Sequence, residues 1–416
     1  MSKFTEKLKS ARAIAFQCIA LPTCAVISKI KFKIKVKRND IKLPKEPAIY
    51  LCNHQTNWDP VWHRALIHKR VFFIGHDELF NSKFRAWCFE NLFDCVKRGA
   101  NKNDVGAIKQ LFALKKQNRS IGIFPEGGIP FWNETNFIED NIAKLCKKLD
   151  MPIVIHRLYG ASFYFPRYYH PNKARIRPVI ERMRVISREE LKAMSVEELS
   201  KIINENLYVN DYAIQKERKI ITKRKKSAEH LDKGLFCCPH CHEFNTIVTE
   251  NDTIKCTKCG FYNIVDEYGL FTSPNAEYKH FEDPIEWNHF QTNYLIDYLK
   301  AYNELDKPIL TRYDAYVKYC DSTVNYMDVE EQQGSIEVYK DEIKLIIGLD
   351  TYTINYKDIL KCYVEFGSTL EIKTSTIKVR IVDDTVIWSP YQFAKTINIL
   401  KAMKLGTDTT LLEKLN

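Results

Sequence analysis

The segment Asn53-His54-Gln55-Thr56-Asn57-Trp58-Asp59-Pro60 holds the residue types from which a general base is made. An imidazole titrates near neutrality, and a carboxylate on one ring nitrogen fixes its tautomer and frees the other nitrogen to take a proton. The apolar run 48–52 reads as a strand, so His54 falls just past a strand end and Asp59 at the start of the next helix. That strand–turn–helix path can fold the carboxylate back onto the ring. Alone, a His and an Asp five apart serve equally well as a surface His and a helix cap. Their company sharpens the reading. Ile123-Phe124-Pro125-Glu126-Gly127-Gly128 ends another strand at the sheet edge where α/β folds bind ligands. Between the two blocks stands Val96-Lys97-Arg98-Gly99, and Met151-Pro152-Ile153-Val154-Ile155 opens a buried strand beyond them.

Each residue then has a chemical part in the acyl transfer that the family resemblance drawn below implies. There an acceptor hydroxyl brings its own nucleophile, so no Ser or Cys is required. His54 takes the hydroxyl proton and Asp59 orients His54. Arg98 can clamp phosphate with its planar fork, better than Lys97. Glu126 either accepts from an acceptor hydroxyl or pins Arg98. Gly127 and Gly128 offer N–H groups to phosphate or an oxyanion, or simply make a turn. Cys52 reads as a buried structural thiol rather than an acyl-enzyme nucleophile. His63, His68, His76 and His156 have no assignable partner.

A second constellation is Cys238-Pro239-His240-Cys241 and Cys256-Thr257-Lys258-Cys259, with fourteen residues between the pairs. Each pair makes a knuckle that aims two thiolates at one tetrahedral Zn²⁺. Four protein ligands leave no open position, so the site is structural. The segment resembles a zinc ribbon or rubredoxin-like knuckle. Cys237 is offset by one from that spacing.

The elements that must position these groups alternate. Apolar strands at 48–52, 71–74, 120–124 and 152–156 are separated by helical patterns at 58–68, 80–93, 102–117 and 137–149. This is an α/β domain with a largely parallel sheet flanked by helices. Residues 29–37 alternate Ile30, Phe32, Ile34 and Val36 with five lysines, the pattern of a half-buried strand with a basic face. Residues 188–226 read as helix, 284–327 as a Tyr-rich helical connector, and 334–386 as short strands before a helix opened by Pro390.

The four blocks, in this order, resemble the glycerolipid acyltransferases of the lysophosphatidate acyltransferase type, over residues 30–212. That family's signature is Asn-His-x-Ser-x-x-Asp, an Arg block, Phe-Pro-Glu-Gly and a Pro-Ile strand. Thr56 stands here for the Ser. Gly128-Ile129-Pro130 replaces the usual Thr-Arg-Ser, and Phe137-Ile138-Glu139-Asp140 replaces Phe-Lys-x-Gly. Both departures bear on the acceptor rather than on the reaction type. The resemblance implies acyl transfer from a thioester, acyl-CoA or acyl carrier protein, to a lysophospholipid hydroxyl at a membrane. The expected acceptor is 1-acyl-sn-glycerol 3-phosphate, giving phosphatidate. The rivals are another acceptor, such as glycerol 3-phosphate or a different lysolipid, and a non-catalytic zinc-ribbon scaffold.

Charge supports the membrane. The 416-residue chain carries +11, but residues 1–250 hold 45 Lys/Arg against 26 Asp/Glu, and residues 251–416 hold 18 against 26. A basic half seeks an anionic partner. Nucleic acid is disfavoured, since no face interleaves aromatic with basic residues. Residues 2–21 place Phe4, Leu8, Ala11, Ala15 and Cys18 on one helical stripe among Lys3, Lys7, Lys9 and Arg12. Pro22 is expected to end or kink that helix. The apolar stretch 13–28, interrupted by Gln17 and Pro22, reads as too short to span and as an arm in the headgroup region. Thirteen cysteines without a secreted pattern indicate a reducing compartment, hence the cytoplasmic face of the membrane and a peripheral or monotopic attachment. The expected division is an amphipathic arm at 1–28, an acyltransferase domain at 29–212, a charged linker at 213–234, a zinc ribbon at 235–271, the connector at 284–327 and a pleckstrin-homology or GRAM-like β-barrel domain at 334–405.

Overall fold

Seven strands build the first sheet: β1 (Lys35–Lys37), β2 (Ile49–Cys52), β3 (Val71–His76), β4 (Val96–Arg98), β5 (Ser120–Ile123), β6 (Ile153–Tyr159) and β7 (Val179–Ile186). The computed structural model describes residues 11–67, 70–80, 82–93, 95–98, 105–168, 176–365, 367–383 and 388–407. The chain divides into two compact units, Met1–Phe163 with Ile176–Asp211, and Tyr164–Arg175 with Tyr212–Asn416.

The first unit holds the sheet in the order β1-β7-β6-β2-β5-β3-β4. Every neighbouring pair is parallel except β6 with β7. β2 and β5 are buried along their whole length, as strands covered on both faces must be. Leu111, Leu114, Cys146, Leu149, Leu199 and Ile203 from three helices pack with Leu51, Ile121 and Ile153 in one core. Tyr50, Ile67, Val71 and Val154 form a smaller one. Because β2 and β5 run side by side and parallel, the loops that follow them leave the sheet at the same edge.

The expected helix over 188–226 is instead three: Arg188–Ala193, Val196–Leu207 and Asp211–Arg218. Ser187 and Ser195 each start a helix with a capping box, so the chain restarts rather than continues. The basic strand over 29–37 is corrected too. A helix runs from Ala11 to Lys31, and only Lys35–Lys37 pairs as a strand. Pro22 does not end it. Phe16–Ala20 winds as a wider π turn, and Pro22 follows in the first turn of Leu21–Lys31, where a missing N–H is tolerated. Lys29 and Lys31 lie in the last turn, where cations meet unpaired carbonyls. An 18-residue window of this 21-residue helix has a mean hydropathy of 1.7, and the helix is long and apolar enough to cross a membrane, contrary to the shorter interrupted stretch expected. Gln17, which seemed an interruption, is buried. Its amide donates to the Phe93 carbonyl at 3.1 Å and accepts from Val71 N at 3.1 Å, while its backbone carbonyl accepts from Arg64 at 2.7 Å. The opposite face leaves Ile19, Val26, Ile27 and Ile30 exposed.

In the second unit, β8 (Ile247–Glu250), β9 (Thr253–Cys256), β10 (Tyr262–Val265) and β11 (Phe271–Thr272) form an antiparallel sheet carrying the cysteines. Residues expected as a charged linker fold against it: Thr222 N donates to the Glu267 carbonyl and Ala228 N to that of Asn251. The helical connector ends early. Asp283 caps the helix Pro284–Ala301, and Leu310–Asp321 is already a strand, β12. With β13 (Gln332–Val338), β14 (Glu342–Ile347), β15 (Asp350–Asn355), β16 (Ile359–Glu365), β17 (Thr369–Thr374) and β18 (Ile377–Val382), it makes a seven-stranded antiparallel sheet ordered β15-β14-β13-β12-β18-β17-β16. The helix Pro390–Lys404 follows, opened by Pro390 as its sequence predicts.

Candidate active site

His54 lies in the loop after β2. Its Nδ1 is 2.8 Å from Asp59 Oδ2. The carboxylate is fully buried, while about a fifth of the His54 side chain reaches solvent. Asp59 opens the short helix Asp59–Trp62 and folds back over its own loop. Oδ2 accepts the backbone N–H of Gln55 at 2.6 Å and of Thr56 at 2.9 Å, and Oδ1 accepts the Thr56 hydroxyl at 2.7 Å. The Thr56 hydroxyl in turn accepts Trp58 N at 3.0 Å. Asn53 ties the loop's root to β6 through two bonds with Leu158, at 2.7 and 2.6 Å. The His54 ring stacks on Phe124, 4.5 Å between centroids, at the end of β5.

Glu126 joins the two loops. Oε1 accepts His54 N at 2.6 Å and Oε2 accepts Asn136 N at 2.9 Å. Burial raises its carboxyl to about 8, against the pull of these two donors and with a smaller push from the Asp59 charge. Both oxygens thus hold backbone in this structure. Gly127 sits at φ +75°, and its N–H donates to the Phe124 carbonyl at 3.2 Å, so that N–H closes a turn and is not free for an oxyanion. Gly128 stands in open space at ordinary φ. Gly127→Ala therefore costs about 1–2 kcal/mol of stability by denaturant unfolding, whereas Gly128→Ala stays within about 0.5 kcal/mol.

The Arg98 backbone closes β4, one strand beyond β3, and its side chain lies outside the described residues, as do Gly99, His68 and the side chain of His76. Lys97 covers the Phe80 ring, 5.6 Å from its centroid. The cleft beside His54 is lined by Gln55, Pro130, Trp132, Asn133, Glu134, Thr135 and Ser162. Pro130–Thr135 is the stretch that follows the altered Gly-Gly-Ile-Pro sequence. Glu134 accepts from the Tyr208 hydroxyl at 2.7 Å.

One residue escaped sequence reasoning. Asp211, buried, accepts from Gly160 N at 2.7 Å, from Gln55 Nε2 at 3.0 Å and from the Ser162 hydroxyl. Burial raises its carboxyl to about 6. It braces Gln55, next to the His54–Asp59 pair, from more than 150 residues away, and no local spacing marks it.

The four cysteines Cys238, Cys241, Cys256 and Cys259 come together, every Sγ within 4.8 Å of the others. Cys238 and Cys259 are 3.7 Å apart, Cys241 and Cys256 3.8 Å. A tetrahedron with Zn–S near 2.3 Å has edges of about 3.8 Å, so the donor set fits. Cys237 points elsewhere, its Sγ 3.6 Å from the His242 carbonyl.

Residues 33–157 match the family model described as Acyltransferase, a span that contains all four sequence blocks. The match supports an O-acyltransferase. No curated protein matches the chain. Among solved structures the chain is similar to the 1-acyl-sn-glycerophosphate (LPA) acyltransferase PlsC from Thermotoga maritima, at 16% identity and a TM-score of 0.40, covering 53% of this chain and 91% of that one. It is also similar to the C-terminal domain of an unknown protein from Leishmania infantum, at 12% identity and a TM-score of 0.14, covering 18% of this chain and 70% of that one.

Proposed function

We propose that this chain is a membrane-associated O-acyltransferase that moves a fatty acyl chain from acyl-CoA or acyl carrier protein to the hydroxyl of a lysophospholipid, with 1-acyl-sn-glycerol 3-phosphate as acceptor and phosphatidate as product. The observation that carries it is the His54–Asp59 contact at the edge of a cleft, in a loop braced by Glu126. With Nδ1 committed to Asp59, Nε2 of His54 is the free base. It takes the acceptor's hydroxyl proton as that oxygen attacks the thioester carbonyl. The C–O bond forms, the C–S bond breaks, and the imidazolium returns the proton to the thiolate. Asp59 stabilises the imidazolium in between. Arg98 is proposed for the acceptor phosphate and the Gly128 N–H for the oxyanion.

A second acceptor has an observation of its own. The cleft next to His54 is lined by Gln55, Asn133, Glu134 and Ser162 and, among the described residues, by no Lys or Arg, a lining ill suited to phosphate. A panel of lysolipids and glycerol 3-phosphate, each with both donor types and read by mass spectrometry, separates the two. Preference for the phosphate monoester supports the first reading. Preference for an acceptor with a neutral or zwitterionic headgroup supports the second. No acylated product with any acceptor removes both, and favours the scaffold.

We further propose one structural Zn²⁺ on Cys238, Cys241, Cys256 and Cys259. The strand order of the C-terminal sheet, with its closing helix, supports a pleckstrin-homology or GRAM-like docking module. Membrane attachment through the helix Ala11–Lys31 is part of the proposal, and the cytoplasmic face is proposed from the cysteine usage alone. Each basic residue near an anionic surface contributes about 1 kcal/mol that salt screens away, and the apolar face adds a part that salt does not remove. Binding to anionic vesicles therefore weakens without vanishing at 1 M salt, where the Debye length is about 3 Å. Ile19 and Ile30, 68% and 73% exposed, carry that resistant part. Ile19→Glu with Ile30→Glu abolishes high-salt flotation and leaves a salt-sensitive remainder. Unchanged flotation at 1 M salt would move the anchor elsewhere.

A further inference from the structure

Cys52, His63 and His156 meet beneath the catalytic loop. They come from three elements: the end of β2, the short 3₁₀ turn His63–Ala65 and the middle of β6. All three are 0% exposed. Their ligating atoms lie within 4.8 Å of one another. The two imidazoles stand nearly parallel, 12° between planes and 5.9 Å between centroids. Neither ring nitrogen of His156 has a hydrogen-bond partner among the described residues, and the His63 ring has only a loose contact with the Asn53 backbone. A buried imidazole without a partner is costly, and two side by side facing one thiol is a pattern that packing alone does not favour. Arg182 adds a repulsive charge near His156, so protonating the pair is no remedy.

We propose that Cys52, His63 and His156 form a second, buried metal site that takes Zn²⁺. One thiolate and two neutral imidazoles are a donor set suited to this borderline-soft ion. Burial keeps both imidazoles in the neutral, ligating form. On binding, the Cys52 S–H bond gives way to a Zn–S bond and the proton leaves to solvent. Two units of charge on the ion less one on the thiolate leave a single positive charge, which the neighbouring Asp59 carboxylate opposes. The Asn53 backbone carbonyl, beside His63, is at hand to accept the second ring N–H of that residue, the usual way a ligating imidazole is oriented. A water enclosed with the ion would complete the tetrahedron, and, sealed from bulk solvent, the ion would not touch substrate. Its place is structural: ligands at positions 52 and 63 would hold both ends of the loop that carries His54 and Asp59, and His156 would fasten it to β6.

The inference stands apart from the acyl-transfer reading, and its test reads metal rather than turnover. Full-length protein, purified with zinc and dialysed, is assayed for metal by elemental analysis and for coordination by zinc X-ray absorption. We expect about two zincs per chain, with five sulfurs and at least two imidazole nitrogens shared between them. One zinc in an all-sulfur shell overturns the second site. Cys52→Ser and His156→Gln each lower the content by one and leave an all-sulfur zinc; Cys256→Ser lowers it by one and leaves a nitrogen-rich shell. Retention of both zincs in Cys52→Ser and His156→Gln also overturns the proposal. Should either variant fail to fold, the wild-type absorption spectrum decides by itself.

Discussion

Replacing His54 by Ala lowers acyl transfer about 10³–10⁴-fold, the loss expected when the one general acid–base group is removed, with vesicle binding and thermal unfolding unchanged. The side chain is partly exposed and stacks on the Phe124 ring, so truncation is expected to cost little stability. Asp59→Asn is the sharper test. From sequence, an amide in place of the carboxylate would favour the wrong imidazole tautomer. The geometry changes that reason. Two backbone N–H groups already point at Oδ2, so the amide oxygen of the variant side chain is held there and still accepts from Nδ1 of His54. The Thr56 hydroxyl can turn to accept the new amide N–H on the other side. What is lost is the charge that stabilises the imidazolium. The expected fall is therefore smaller, about 10²-fold in kcat/KM, with little change in KM. A variant at position 59 as inactive as His54→Ala would mean that the loop had collapsed, which loss of stability would reveal. An active His54→Ala would end the mechanism.

Cys256→Ser strips zinc from the ribbon and unfolds residues 235–271. Structural zinc in comparable small domains carries an apparent 10–16 kcal/mol, more than the small core of Phe236, Ile254, Phe261 and Phe271 is expected to replace. Its strands are two to four residues long. Hydrogen exchange should rise across β8–β11 and the following helix, because Trp287 packs on Phe261 and Phe271 and donates to the Cys237 carbonyl. Cys237→Ser keeps the metal, since that sulfur faces away from the cluster. Metal-free protein with β8–β11 still protected would refute a structural zinc.

The parts of the fold that were legible are those whose burial is uniform. β2, β5 and β6 are covered on both faces and read as plain apolar runs, and the motifs at their ends inherit a position from them. β7 was not legible, because Glu181, Arg182 and Arg184 interrupt it. In the fold Glu181 accepts from Arg157 at 2.6 Å, and Arg182 donates to the carbonyls of Ile41 and Leu66. Such charges are neutralised by partners distant in sequence, which no local window contains. The same holds for Asp211 and for Gln17, polar residues that look like interruptions until their long-range partners are known. At 29–37, alternation of lysine with apolar residues fits a strand and a basic helix end alike, and the chain uses both, ending a helix at Lys31 and pairing as a strand only at Lys35–Lys37. The spacing of His54 and Asp59 could suggest a pair. It could not show that Glu126 holds the backbone of His54 itself.

Gln17 has a practical consequence. Its side chain and carbonyl bond three separate segments of the catalytic unit, at Phe93, Val71 and Arg64. A truncation designed to make the protein easier to handle in water would remove these bonds together with the greasy face. The shortened product should be produced poorly, and its inactivity would say nothing about lipid dependence. Detergent or nanodiscs around the intact amino-terminal helix are the better preparation, with an affinity tag at the carboxyl terminus.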